Sequence, residues 1–274
     1  MPSLFTTVER LAMRLLPPKV TESLQRFKHE LPLKLHLSAP VVQLYLDDAH
    51  TRSFVGLNNF YSFLLADIET SARVQLRFHD SGGGLVLRHS LDLAHFAARA
   101  VDVRALFDHH RIRSPFGVVT AQITPTEPRR KVYRDLGRAS AQFFMFYRDD
   151  ETGSVEQVHP LSTADRDNRP SAAFLSSQVI STHKVRQVIA FQYNPSSFSH
   201  SLEHSLVNAE TGEPVASRRA TIPPMGSTRA VFTLADLANL PARLSLAVDA
   251  LPSANSKPML RRVFDGGRHS MSHS

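Results

Sequence analysis

Fourteen histidines and 25 acidic side chains carry most of the reactive chemistry open to this 274-residue chain, because it contains no cysteine. Without thiols there is no disulfide framework, no thiolate zinc site, no Cys-ligated iron–sulfur centre and no thiol nucleophile. A metal site would have to be built from His, Asp and Glu. Two knots of such residues occur, Asp47-Asp48 with His50 and Asp108-His109-His110. Neither has the i, i+4 histidines of a zinc helix or the spaced acids of a calcium loop. Adjacent His109 and His110 point to opposite sides of a strand, or well apart on a helix, so they converge poorly on one ion. No metal and no cofactor are expected.

Nucleophilic hydrolysis asks for a serine on a strained turn, and no Gly-x-Ser-x-Gly occurs; Ser176-Ser177 and Ser196-Ser197 read as ordinary turn and strand residues. Gly82-Gly83-Gly84 lacks the Lys-Ser/Thr of a phosphate loop and joins two strand-like runs, which makes it a hairpin turn. No catalytic residue is assigned.

Binding chemistry is better represented. Asn58-Asn59-Phe60-Tyr61 is echoed by Tyr193-Asn194-Pro195-Ser196-Ser197-Phe198, and amides beside flat rings suit sugars and protein surfaces alike. Arg129, Arg130, Lys131 and Arg134 surround Tyr133, and Arg261 and Arg262 lie beside Phe264 at the matching place of a second copy. Guanidinium forks grip phosphate or carboxylate and stack on rings. His159, held extended by Pro160, completes the candidate contacts Asn58, Asn59, Tyr61, Arg129, Arg130, Lys131, Arg134 and His159. An excess of 26 Arg and 6 Lys over the 25 acids leaves a net charge of +7, which favours an anionic partner. Nucleic acid is among such partners but has no motif here.

These residues must be positioned by strands. In 72–79, Ala72, Val74, Leu76 and Phe78 alternate with Arg73, Gln75, Arg77 and His79, the period of a half-buried strand. Similar runs cover 41–47, 53–63, 85–91, 98–103, 116–124 and 141–148, with a further strand at 154–159. Val103–His109 and Leu234–Asn239 read as short helical steps. At an offset of 130 residues, Leu76, Gly82, Arg88, Arg99, Ala100 and Val101 recur as Leu206, Gly212, Arg218, Arg229, Ala230 and Val231. The expected fold is therefore all-β: two tandem immunoglobulin-like β-sandwich domains, 39–165 and 166–274, joined near Leu161–Pro170 and preceded by an N-terminal helical segment over 1–38.

The second copy should lack a counterpart to the 141–159 hairpin and be shorter, exposing an edge through which the chain could form a homo-oligomer, and 266–274 should be a disordered tail. Leu4, Val8, Leu11 and Leu15 make 4–16 amphipathic, but Glu9, Arg10 and Arg14 interrupt any secretory core, so a cytoplasmic location is expected. No apolar run is long enough to cross a membrane as a helix. The function expected is a non-enzymatic binding or scaffolding protein that contacts a protein partner or an anionic or glycan polymer through exposed sheet faces. A carbohydrate-active enzyme using His159 or His110 as base is the alternative, and peripheral membrane attachment through 4–16 is a third.

Overall fold

The computed structural model describes residues 40–64, 69–126, 143–160, 162–164 and 169–273. The helical segment expected over 1–38 and the basic cluster Arg129, Arg130, Lys131 and Arg134 lie outside them. The described residues are all-β and form four antiparallel sheets. Sheet I has the order β4-β3-β6-β1-β9, made from β1 (Val41–Leu46), β3 (Ala72–Asp80), β4 (Leu85–Leu93), β6 (Phe116–Pro125) and β9 (Ser162–Thr163). Sheet II has the order β5-β2-β7-β8, from β2 (Thr51–Asn58), β5 (Ala98–Asp102), β7 (Phe143–Asp149) and β8 (Val155–Val158).

Sheet III runs β10-β16-β13-β14, with β11 also on β16. Its strands are β10 (Phe174–Leu175), β11 (Ile180–Ser181), β13 (His200–Asn208), β14 (Pro214–Ile222) and β16 (Arg243–Val248). Sheet IV runs β15-β12-β17-β18, from β12 (Val185–Tyr193), β15 (Ser227–Thr233), β17 (Met259–Phe264) and β18 (His269–His273).

The alternation read in 72–79 is the burial pattern of β3, with Ala72, Val74, Leu76 and Phe78 inward. They share a core with Val55 and Leu57 of β2 and with Phe143, Met145 and Tyr147 of β7. Helix α1 (Phe60–Leu64) cuts short the strand expected to run on to residue 63. The reason is local: Asn59 N–H donates to Ala97 O, and its own carbonyl accepts from Ser62 N, which starts a turn. Helix α2 (Val103–His109) has the expected bounds. Its N-cap, Asp102, accepts from Ala105 N, and its buried Phe107 meets Tyr45 and Phe78 edge to face with ring centres 5.3 and 5.4 Å away.

A second core gathers Val188, Ala190, Leu202, Leu206, Phe232, Leu246 and Leu260 from sheets III and IV. The two cores are not insulated. On β12 and β17 the alternate residues Phe191, Tyr193 and Met259 belong to the first core, so the end of β12 and the start of β17 are buried on both faces. Strands in that position lose the alternation of a half-exposed sheet and read as nearly continuous apolar runs.

Three expectations need correction. The second half does have a hairpin matching 141–159: β17 pairs with β12 as β7 pairs with β2, and β18 pairs with β17. Residues 269–273 are therefore an edge strand and not a disordered tail, turned by Gly266 and Gly267 at φ +84° and +86°. The shorter second half falls with this, and the sheet edge lies at β18. Arg261-Arg262 consequently matches β7 and not the Arg130 segment.

The repeat offset also shifts. Asp80 and Asn208 open equivalent turns, each accepting from the positive-φ glycine, Gly83 or Gly212, and each donating to the residue that follows it. That is an offset of 128 residues before the turn (Asp80 to Asn208) and 129 after it (Gly83 to Gly212), not 130. Because strand side chains have period two, a slip of one residue exchanges the faces. Val101, packed on the first core, answers to the core residue Ala230 and not to Val231.

Candidate functional site

Sheet II turns one face to the core and the other outward. Inward go Ser53, Val55 and Leu57 with Phe143, Met145 and Tyr147; outward go Arg52, Phe54, Gly56 and Asn58 of β2 and Phe144, Phe146 and Arg148 of β7. On β8 the residues in register with that outer face are Val155 and Gln157, both exposed. Ala98 and Ala100 of β5 stand opposite Asn58 and Gly56 and place only small side chains beside the rings, which are half-buried.

The geometry makes this face a ring platform. A Cβ on Gly56 would lie 2.5 Å from the Phe146 ring, so glycine at that position lets the ring rest against the backbone. Phe144 and Phe146 have ring centres 6.5 Å apart, tilted by 37°. The guanidinium carbons of Arg52 and Arg148 each lie 5.5 Å from the centre of the Phe54 ring. Arg52 is oriented by Asp102, donating from Nε and a terminal nitrogen, and Arg148 donates to Asp150 Oδ1 at 3.2 Å. Both arginines keep further N–H groups for a ligand.

Of the residues singled out in the sequence, the structure brings two to this face. Asn58 sits at its β2 end with its Oδ1 buried and unpartnered, and the exposed His159 ring packs on Phe144 at 5.0 Å. Asn59 and Tyr61 are not on it. Asn59 is fully buried, its Nδ2 donating to Thr70 O and Ala94 O at 2.7 and 3.0 Å. Asn194 does the same in the second half, donating to Phe198 O, Ile222 O and Pro223 O, so the amide echo closes two equivalent loops. Tyr61 donates to Ile123 O at 3.1 Å, and burial pushes its hydroxyl up to about 12. Phe54, Phe144, Phe146 and Arg148 were missed. The rings at 144 and 146 alternate in the sequence, but Phe143 to Tyr147 is apolar at every position, so residue types alone leave the outward side unmarked.

The acid–histidine knot at 47–50 is an ion-pair hub. Asp47 accepts from Arg104 Nε at 2.6 Å, and Arg104 also donates to Asp150 Oδ2 at 2.5 Å. Asp48 accepts from the N–H groups of His50 and Thr51 and from the buried Arg261 at 2.7 Å. Burial raises the Asp48 carboxyl, but the Arg261 charge and hydrogen bond outweigh it and hold it below the usual range. Arg261 also donates to Thr51 Oγ1 at 2.8 Å and lies 5.2 Å from the Phe191 ring centre, so this pair ties the β1–β2 turn to sheet IV. Among the described residues no three ligand-type side chains converge as a metal would require. No helix among them is long and apolar enough to cross a membrane.

A scan of the chain against protein-family models finds no match, and a search of curated protein sequences finds none either.

Proposed function

We propose that this protein is a non-enzymatic binding module, two tandem immunoglobulin-like sandwiches over 39–165 and 166–274, that holds an anionic glycan polymer on the outer face of sheet II. The two-domain reading is supported by the strand order of sheets III and IV, which repeats that of sheets I and II. The observation that carries the ligand class is the row Phe54, Phe144, Phe146 on an outward sheet face, rimmed by Arg52, Arg148, Gln157, Asn58 and His159. Rings of this kind lie against the C–H face of a sugar, while guanidinium and amide groups bond its hydroxyls and carboxylates or sulfates. A net charge of +7 adds long-range attraction to such a polymer.

The test is binding of full-length protein to immobilised heparin and polygalacturonate, compared with the double variant Phe144→Ala/Phe146→Ala and with Arg148→Gln. Loss of two stacked rings should weaken binding by about tenfold or more, taking roughly 1 kcal/mol per ring. Arg148→Gln should weaken binding and lower its dependence on salt. Equal retention of all three proteins, or none on either polymer, removes the reading. Release of reducing ends from either polymer would replace it by the carbohydrate-active alternative.

A further inference from the structure

A second region carries recognition chemistry that the ring platform does not use. An open groove of about 580 Å³ is lined by Thr152 of the β7–β8 turn, Lys184 just before β12, and Phe264, Asp265, Arg268 and His269 of the β17–β18 hairpin. Its size lies within the range of small-ligand sites. Lys184 and Arg268 are exposed, and among the described residues neither forms an ion pair. The one acid in the lining, Asp265, is already held by Arg186 Nε at 2.5 Å. Thr152 Oγ1 donates to Asp149 Oδ1 at 3.0 Å, which leaves it a wall of the groove more than a donor to it.

His269 makes this more than a patch of surface charge. It is only 9% exposed, and both of its ring nitrogens are without a hydrogen-bond partner. A buried imidazole with neither nitrogen satisfied is an uncommon state in a native protein and calls for a partner. The His50 ring packs against it, with ring centres 4.1 Å apart and planes tilted by 34°. Burial foremost, then the charges of His50 and Arg261, lower its pKa. The acids that act on it, Asp149 and Asp48, are themselves bonded to Thr152 and to Arg261.

We infer that this groove is a second ligand site, distinct from the sheet II face, which takes an oxyanion carried on a ring-sized body. Lys184 and Arg268 neutralise the anion, His269 donates one hydrogen bond from below, and Phe264 covers an apolar face of the body. Sulfate, phosphate and carboxylate share this chemistry, and the experiment separates them.

Full-length protein is titrated calorimetrically with sodium sulfate, sodium phosphate and sodium glucuronate at constant ionic strength, with histidine ring signals followed by NMR in parallel. Saturable binding of at least one of them at millimolar concentration or tighter is expected, and its rank names the anion preferred. The double variant Lys184→Gln/Arg268→Gln should weaken that binding by about tenfold or more, since charge-assisted hydrogen bonds are the strong ones. His269→Asn should abolish the responsive ring signal. Both side chains of the double variant are exposed, so its fold is preserved even where His269→Asn fails to fold. The Phe144→Ala/Phe146→Ala protein should keep the anion response, which separates this site from the sheet II reading. Signals that drift linearly without saturation, or titrate identically in the double variant, overturn the inference.

Discussion

Replacing His204 by leucine should stabilise the protein, and by more at acid pH. His204 lies on β13 between the core residues Leu202 and Leu206, fully buried, with neither ring nitrogen partnered. Burial lowers its pKa from 6.5 to about 4, with Asp249 pulling weakly the other way. Above pH 6.5 the ring is neutral in both folded and unfolded chains and adds no pH dependence. Between pH 6.5 and 4 the unfolded chain binds a proton that the native state refuses, so stability falls as pH falls, and the loss is complete below pH 4. At about 1.4 kcal/mol per pH unit, that window amounts to about 3 kcal/mol.

Leucine has nearly the volume of histidine and removes an orphaned donor worth about 1–3 kcal/mol, so His204→Leu should gain on that order at pH 7.5. The gain should widen by about 3 kcal/mol by pH 4. Urea unfolding of both proteins at pH 7.5, 6.5, 5.5 and 4.5 measures it. Other histidines with lowered pKa, His79, His89 and His269, contribute equally to both proteins and cancel in the difference. A constant difference across this range, or a destabilised variant, refutes the placement of a neutral, unpartnered ring in the second core.

Two further perturbations test the joins between the halves. Gly83→Ala puts a Cβ at φ +84° and into the Pro224 carbonyl oxygen, so thermal unfolding should report a loss of about 2 kcal/mol or more, while Gly153→Ala, which meets nothing, should lose less. Asp48→Ala leaves the Arg261 guanidinium buried without its carboxylate and should destabilise by about 3–5 kcal/mol by chemical denaturation, whereas Asp48→Ala combined with Arg261→Met should recover much of that loss.

Much of the local structure was legible in residue order. The period-two pattern of Ala72 to Phe78 specifies a strand with an apolar side because neighbouring side chains point oppositely. The Asp80–Gly84 turn was legible because an acid followed by glycines supplies both the bonding side chain and the positive φ. The bounds of α2 were legible because Asp102 caps it. The outer face of sheet II was half legible: Asn58 and His159 stand out as polar residues at its ends, while Phe143 to Tyr147 is apolar at every position and does not mark Phe144 and Phe146 as the outward pair. Alternation says that two faces exist, and only the packing of β7 against sheet I decides which is wet.

The remainder is tertiary because it depends on partners far away in the chain. Residues 269–273 carry little intrinsic strand signal and became a strand through the ladder offered by β17. Arg261 reads as a surface charge until Asp48, 213 positions earlier, comes within 2.7 Å of it. The repeat register was misplaced by one or two residues since identical letters can match on opposite faces, whereas hydrogen-bonded turns cannot slip without turning the core outward. Composition and period thus determined that this chain makes sheets and where it turns. Which faces became core, join or solvent-facing surface was decided only when the sheets packed, because burial is a property of the pair of surfaces and not of either strand.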